Sequence, residues 1–185
     1  MPADSMIIQK VDGDTAAAHV DELRALYAEV YADPPYEWGA DSTVLFAERF
    51  ETQRQLEGFV LVEARDGNEL AGIAFGFTLP PTTGWWQGLL IPVPAEVIAE
   101  QPGRTFALIE LLVRVPWRRQ GVARTMHDLL LTDRPEERAT LTALPATAPA
   151  QAAYRKWGWQ TVSQKRNPLP GSPLFDVLVK ELKSA

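Results

Sequence analysis

The sequence predicts a mixed α/β (α+β) fold of one domain, in which hairpins and α-crossovers share a mixed sheet. Three observations predict it. Two runs of β-forming residues flank an Asp66-Gly67 turn, so part of the sheet is a hairpin. Stretches with apolar residues at helical spacing separate other strand-like runs, so crossover helices lie beside the hairpins. Thr105–Val115 (TFALIELLVRV) is apolar on both faces, as a central strand must be.

Ile7–Val11 is short and β-branched and reads as a first strand. Asp14 and Thr15 offer an N-cap, and Val20, Leu23, Leu26, Tyr27, Val30 and Tyr31 recur at helical spacing, which predicts one helix over Ala16–Tyr31. Asp33-Pro34-Pro35 breaks it. Asp41-Ser42 starts a second helix that runs to about Gln53. Gly58–Ala64 and Glu69–Leu79 are the arms of the hairpin, with Gly72 and Gly76 inside the second arm. Residues 82–103 hold Trp85-Trp86, Pro92, Pro94 and a short helical stretch over Ala95–Glu100. They read as an insertion between core strands, of the kind that forms binding loops or lids. Pro116 ends the central strand, a helix follows over Gly121–Leu131, and Glu137–Leu144 is the next strand. Ala148–Trp157 is a helix stopped by Gly158. Trp159–Gln164 and Leu174–Leu182 are the last strands, joined by a Pro-Gly loop over Asn167–Pro173.

Composition narrows the chemistry. The 185 residues are 46% hydrophobic and 23% charged, which suits a folded chain with a closed core. No cysteine is present, so disulfides, cysteine nucleophiles and Cys-based zinc sites are excluded. Two histidines, His19 and His127, are too few for a multi-His metal site. The net charge of −6 opposes a general nucleic-acid surface or attachment to an anionic membrane. No apolar run approaches the roughly 20 residues of a membrane span, and the N-terminus has no secretory pattern, so a cytoplasmic location is expected.

The stretch from Leu111 to Arg124 (LLVRVPWRRQGVAR) brings a buried strand into a short basic turn and then a helix that starts at a glycine. Free N–H groups and the positive end of the helix dipole make such a start an anion site. Gly121 and Ala123 lack bulk, and Arg118, Arg119 and Arg124 add charge. The Gly-Lys-Ser/Thr of a P-loop and the Gly-x-Gly-x-x-Gly of a dinucleotide fold are both absent. An ordinary basic helix start on the surface is the bland alternative.

This stretch resembles the acyl-CoA loop of the GNAT N-acetyltransferase superfamily, whose pattern Arg/Gln-x-x-Gly-x-Gly/Ala is matched by Arg118, Gly121 and Ala123. About 30 residues downstream, Ala153-Tyr-Arg-Lys-Trp-Gly-Trp159 is similar to the family's Tyr-x-Lys-x-Gly-Phe segment. Two departures are Thr147, where an asparagine is common, and Trp159 in place of phenylalanine. The resemblance implies a mostly antiparallel, twisted sheet of six to seven strands with helices on both faces. It implies acetyl-CoA as the acyl donor and CoA as product. The backbone of Leu112, Val113 and Val115 would pair with the pantetheine arm. The N–H groups of Arg119, Gln120, Gly121, Val122, Ala123 and Arg124 would hold the pyrophosphate.

Glu110 stands inside an apolar strand, where burial costs free energy and raises a carboxyl's proton affinity. The resemblance implies a general base that takes a proton from an incoming ammonium group, directly or through water. The alternative is a Glu paired with an arginine, or one that faces a solvated cleft without catalysis. Tyr154 shares a helix face with Ala150, Ala153 and Trp157, the pattern of a core tyrosine, and the resemblance implies the acid that protonates the departing thiolate. His127 reads as a polar residue on a partly exposed helix.

Tyr31, Tyr36 and Trp38, with Trp85 and Trp86, fall in the two regions that commonly form the acceptor pocket in the family. Aromatic walls suit a flat amine or a cation over a ring. Adjacent tryptophans that plug the core or a dimer contact are the alternative. Asp33, Glu37 and Asp41 would attract a cationic acceptor. The expected function is acetylation of a primary amine of a small molecule, in a ternary complex, with no metal. A protein or peptide amine as acceptor, and a sensor that holds acyl-CoA without turnover, are the alternatives. Dimerisation is common in such folds, and no sequence feature here demands it.

Overall fold

The structure, a computed structural model, describes residues 6–167 and 171–182. Among these residues the order is β1 (Met6–Val11), α1 (Gly13–Ala18), α2 (Val20–Ala32), α3 (Ala40–Gln53), β2 (Val60–Asp66), β3 (Glu69–Thr78), α4 (Ala95–Ile98), β4 (Thr105–Val113), α5 (Val122–Leu131), β5 (Arg138–Ala143), α6 (Ala148–Lys156), β6 (Gln160–Arg166) and β7 (Leu174–Glu181). The seven strands form one mixed sheet in the order β1-β2-β3-β4-β5-β7-β6. β4 and β5 are parallel over Thr105–Ala107, whereas β1–β2, β2–β3, β5–β7 and β6–β7 are antiparallel. The chain divides into two compact units: residues up to Phe77 with Leu108–Arg134, and Thr78–Ala107 with Pro135 onward.

In the first unit, α1, α2 and α3 bury one stripe each. Ala16, Leu23, Leu26, Tyr27, Phe46 and Phe50 pack with Leu61, Leu70, Ile73, Phe75 and Leu112 of β2, β3 and β4. The apolar spacing along α2 and α3 is therefore satisfied by a single core. The predicted helix over Ala16–Tyr31 is in fact two. Its cap is Asp12, whose carboxylate accepts from the Thr15 N–H at 2.8 Å, so α1 begins at Gly13. The backbone then leaves helical geometry at His19, whose Nδ1 comes within 3.6 Å of the buried Glu63 carboxylate. That contact joins α1–α2 to β2, and no local propensity encodes it.

The hairpin is present with shifted ends: β2 spans Val60–Asp66, and Gly67 adopts the positive φ (59°) that its turn requires. The central strand ends at Val113 rather than Val115. Pro116 has no N–H to donate, and Val115–Trp117 coils into a 3-10 turn, closed by the Arg118 N–H on the Val115 carbonyl at 3.2 Å. Gly72 of β3 has no room for a side chain: a Cβ there would lie 2.6 Å from the Leu112 carbonyl oxygen of β4 and 3.0 Å from the Met126 methyl.

In the second unit, the insertion is stitched to the edge strand β6 instead of standing free. Leu89 bridges Lys165, the Leu90 N–H donates to the Gln164 carbonyl at 2.8 Å, and the Ser163 hydroxyl donates to the Ile91 carbonyl at 2.7 Å. This covers a strand edge that would otherwise be open for pairing. The insertion's helix is one turn, Ala95–Ile98. Residues 168–170 of the Pro-Gly loop lie outside the described residues.

Replacing Gly72 by Ala forces a methyl against backbone that cannot yield. We expect a loss of about 1–3 kcal/mol. In a thermal melt that is a drop of roughly 4–8 °C for a loss near 2 kcal/mol. An unchanged melting temperature would show that β3 and β4 can separate at this point.

Candidate active site

The first unit holds both the basic turn before α5 and the buried carboxylate. β4 delivers the chain to residue 113, the 3-10 turn reverses it, and residues 118–121 lead into α5. Arg119 (φ 62°) and Gly121 (φ 85°) both take the left-handed conformation. Such residues turn successive backbone N–H groups toward a common concavity, a nest for anions. Gly121 is the N-cap of α5, it has no side-chain cap, and a Cβ there would meet nothing within 4 Å. The N–H groups of the first turn have no carbonyl within their own helix to bond, and the helix dipole adds positive potential.

The charged side chains of this turn are mostly committed elsewhere. The Arg118 Nε donates to the Val113 carbonyl at 2.8 Å, the Gln120 amide donates to the Pro116 carbonyl at 2.7 Å, and Arg124 pairs with Asp128 one turn along α5. Arg119 is exposed and makes no ion pair among the described residues. Leu112 and Val113 are buried, and Val122 closes under the turn at 1% exposure. Val115, outside the strand, is exposed. The turn thus offers main-chain donors, with Ala123 as the small residue of the first helical turn. Cofactor phosphates fit this chemistry: close backbone approach, positive dipole, no bulk.

Glu110 is buried at 8% exposure in the middle of β4. Its Oε2 accepts the Tyr31 hydroxyl at 2.7 Å, and Oε1 makes no hydrogen bond among the described residues. Burial pushes its pKa from 4.5 up to about 7, against the Tyr31 hydrogen bond and the Arg49 charge, which both favour the ionised form. Glu110 therefore titrates in the range where a general base is effective. Its partner is a tyrosine, not an arginine at contact distance. Arg49 and Tyr27 were not found by sequence reasoning. Both face this carboxylate from the helices across the core, and no spacing within α2 or α3 points to β4.

Tyr31, Tyr36 and Trp38 do come together. Tyr31 stacks on Trp38 with ring centroids 4.4 Å apart and meets Tyr36 edge-on at 4.6 Å, while Tyr36 and Trp38 are 5.3 Å apart. Rings at contact distance leave no room for a cation between them, so only their outer faces are offered to a ligand. The Trp38 N–H donates to the Tyr31 carbonyl at 2.8 Å, which folds the 33–38 loop back onto α2.

The second unit holds Tyr154, Trp85 and Trp86. Tyr154, half-buried near the end of α6, is edge-on to Trp157 (5.8 Å) and Trp159 (6.1 Å). Gly158 (φ 86°) reverses the chain so that the Trp159 N–H bonds the Tyr154 carbonyl at 3.0 Å. Thr147 is buried, its hydroxyl on the Leu144 carbonyl at 2.6 Å. Both tryptophans of the insertion carry structural contacts. Trp86 is buried, donates to Glu100 at 2.9 Å and lies under the Arg138 guanidinium at 5.0 Å. Trp85 donates to the Thr140 hydroxyl at 3.1 Å, and the Lys165 ammonium lies 4.7 Å from its ring centroid. His127 is buried, with Nδ1 2.8 Å from the Asp128 carboxylate. Among the described residues, no group of three or more His, Asp or Glu side chains could hold a metal ion.

Glu110 also sets a stability trend. Between pH 4.5 and about 7 the folded chain keeps a proton that the unfolded chain has released, so stability falls as pH rises across that window and stays lower above it. At about 1.4 kcal/mol per pH unit this amounts to roughly 3 kcal/mol. Glu110→Gln, which cannot ionise, should melt higher than the wild type at pH 8 and nearly level with it at pH 4. Equal melting temperatures at both pH values would contradict the buried, proton-hungry carboxyl.

Comparison with known proteins extends this geometry. No curated protein matches the chain. Among solved structures, the ribosomal-protein-S18-alanine N-acetyltransferase from Escherichia coli aligns with a TM-score of 0.66 at 16% identity, over 97% of this chain and 96% of that one. An aminoglycoside 6'-acetyltransferase type Ii aligns with a TM-score of 0.64 at 20% identity, over 97% and 99%. The PaiA N-acetyltransferase from Thermoplasma acidophilum, in complex with coenzyme A, aligns with a TM-score of 0.59 at 11% identity, over 96% and 99%. At these identities the three share the fold of this chain. The sequence pattern of the Acetyltransferase (GNAT) family matches residues 23–159, from α2 to the tryptophan packed beside Tyr154, with the β4–α5 turn between them; the chain belongs to that family of acyltransferases.

Proposed function

We propose that this acetyltransferase moves the acetyl group of acetyl-CoA to a primary amine of a small molecule. The observation that carries the reading is Glu110, a carboxyl held at a pKa of about 7 in the core of the first unit. An amine acceptor arrives as an ammonium ion, and a base that ionises near neutrality is what its deprotonation needs. Acetyl-CoA supplies the activated thioester. The backbone of Leu112, Val113 and Val115 would pair with its pantetheine arm, and the main-chain donors of residues 119–124 would hold its phosphates, with Arg119 as the side chain left to meet them.

In this mechanism Glu110, directly or through water, takes the ammonium proton. The neutral nitrogen forms a bond to the acyl carbon as the C–S bond breaks. A backbone N–H near Val113 stabilises the oxyanion. Tyr154 delivers a proton to the thiolate, which leaves as the free thiol of CoA, and the second proton lost by the acylated nitrogen restores the phenol. Holding two reactants in register supplies much of the rate. The outer faces of Tyr36 and Trp38, with Asp33, Glu37 and Asp41 close by in sequence, suit a cationic or aromatic amine. Trp86, fixed by Glu100 and Arg138, supports the insertion more than it offers a free wall.

The test is a thermal-shift titration with acetyl-CoA, with ADP as a control, followed by thiol release with panels of small amines and of peptides. Acetyl-CoA at 100 times its Kd should stabilise the chain by about 2.7 kcal/mol. Release of thiol with small amines and not with peptide amines is the expected result. Release with peptides alone would move the acceptor class, and binding without release from any amine would mark a sensor. Tyr154→Phe should lower kcat at least tenfold with little change in acetyl-CoA affinity. Normal turnover in that variant would remove Tyr154 as the acid.

A further inference from the structure

We infer that Tyr31 is a positioning residue for Glu110, and not a wall of the acceptor pocket: its hydroxyl holds one carboxylate oxygen and leaves the other to receive the proton. The inference deepens the proposed function and rests on its assignment of Glu110 as the base.

The geometry is specific. The Tyr31 hydroxyl lies 2.7 Å from Glu110 Oε2, and Oε1 is left without a hydrogen bond among the described residues. A carboxylate free to rotate would present either oxygen. One fixed by a short hydrogen bond to a rigid ring presents one. The ring is rigid because it is packed on three sides, by Trp38 at 4.4 Å, Tyr27 at 4.5 Å and Tyr36 at 4.6 Å. The backbone bond from Trp38 to the Tyr31 carbonyl keeps the loop closed over it. Tyr31 is half-buried and spends its hydroxyl on Glu110 and its ring on Trp38, Tyr27 and Tyr36, so the group a substrate would use is already committed.

The charged and titratable groups that face Glu110 are Tyr31 and Tyr27 from α2 and Arg49 from α3, with Tyr36 acting on Tyr31. Burial and the adjacent Glu110 raise the Tyr31 pKa well above its ordinary value, so the phenol keeps its proton and donates at every working pH. A donor to the ionised form favours ionisation. Tyr31 therefore holds the carboxyl's proton affinity down against the desolvation that drives it up.

The experiment compares wild type and Tyr31→Phe, with the Glu110 carboxyl carbon followed by NMR as pH is varied. The resonance is assigned by its absence in Glu110→Gln. The phenyl ring keeps the packing and removes only the donor. The titration midpoint should rise by about one pH unit. The acidic limb of kcat/KM should rise with it, so that activity at pH 7 falls several-fold and recovers toward pH 9, while KM for acetyl-CoA is unchanged. A midpoint that stays in place in a variant that melts cooperatively would overturn the inference, as would a loss of activity equal at all pH values. The base assignment is tested separately: full turnover by Glu110→Gln would remove it, whatever the NMR midpoint does.

Discussion

The first unit is organised around one constraint, a carboxylate buried in the middle of an apolar strand. Leaving Glu110 without a partner would cost several kcal/mol, and most sequences would avoid it. Here the cost is reduced by the Tyr31 hydroxyl and by the distant charge of Arg49, but not removed, so the carboxyl remains easy to protonate. Much of the surrounding architecture serves that pair. The end of α2 brings Tyr31 over β4, the 33–38 loop folds back to place Trp38 on its ring, and α3 supplies Phe46 behind Tyr27. A group that lowers stability above neutral pH is retained at the point where proton transfer is proposed.

The turn before α5 solves a different problem with the main chain. Arg119 and Gly121 in left-handed conformations aim backbone donors outward, while Arg118 and Gln120 spend their side chains on carbonyls of the same turn. The arginines that make the segment look basic are thus partly internal fasteners. The Arg118 bond to Val113 ties the turn to the end of the strand, and the Arg124–Asp128 pair lies along the helix.

In the second unit the insertion is held by polar groups away from water. The Glu100 carboxylate accepts from Trp86, Thr105 and Arg138 through one oxygen, and Arg138 lies over Trp86. Buried ion pairs of this kind add little net stability but specify one arrangement, since either partner alone would be a buried unpaired charge. Lys165 does similar work at the edge strand: its ammonium reaches the Trp85 carbonyl at 2.6 Å, and burial lowers its pKa.

The sequence alone determined the element order, the hairpin, the central strand, the basic turn at a helix start, and the proton affinity expected of Glu110. These depend on local chemistry: β-formers, a turn glycine, apolar period, and a charged residue in an apolar run. Its errors sat at ends and breaks. The split at His19 and the stitching of the insertion to β6 involve contacts between residues far apart in the chain, which local pattern does not carry, whereas the cap at Asp12 and the end of β4 at Val113 rest on local hydrogen bonds a few residues from where the pattern put them. Tertiary structure alone decided which tyrosine holds Glu110. Tyr27 and Tyr31 are one helical turn apart and equally placed by spacing, yet one hydroxyl lies within 2.7 Å of the carboxylate because the aromatic loop pins that ring. The same packing shows that Tyr31, Tyr36 and Trp38 touch one another instead of enclosing a space. Sequence can say that these residues are aromatic and near in the chain; only the angles between α2, its loop and β4 can say what their rings face.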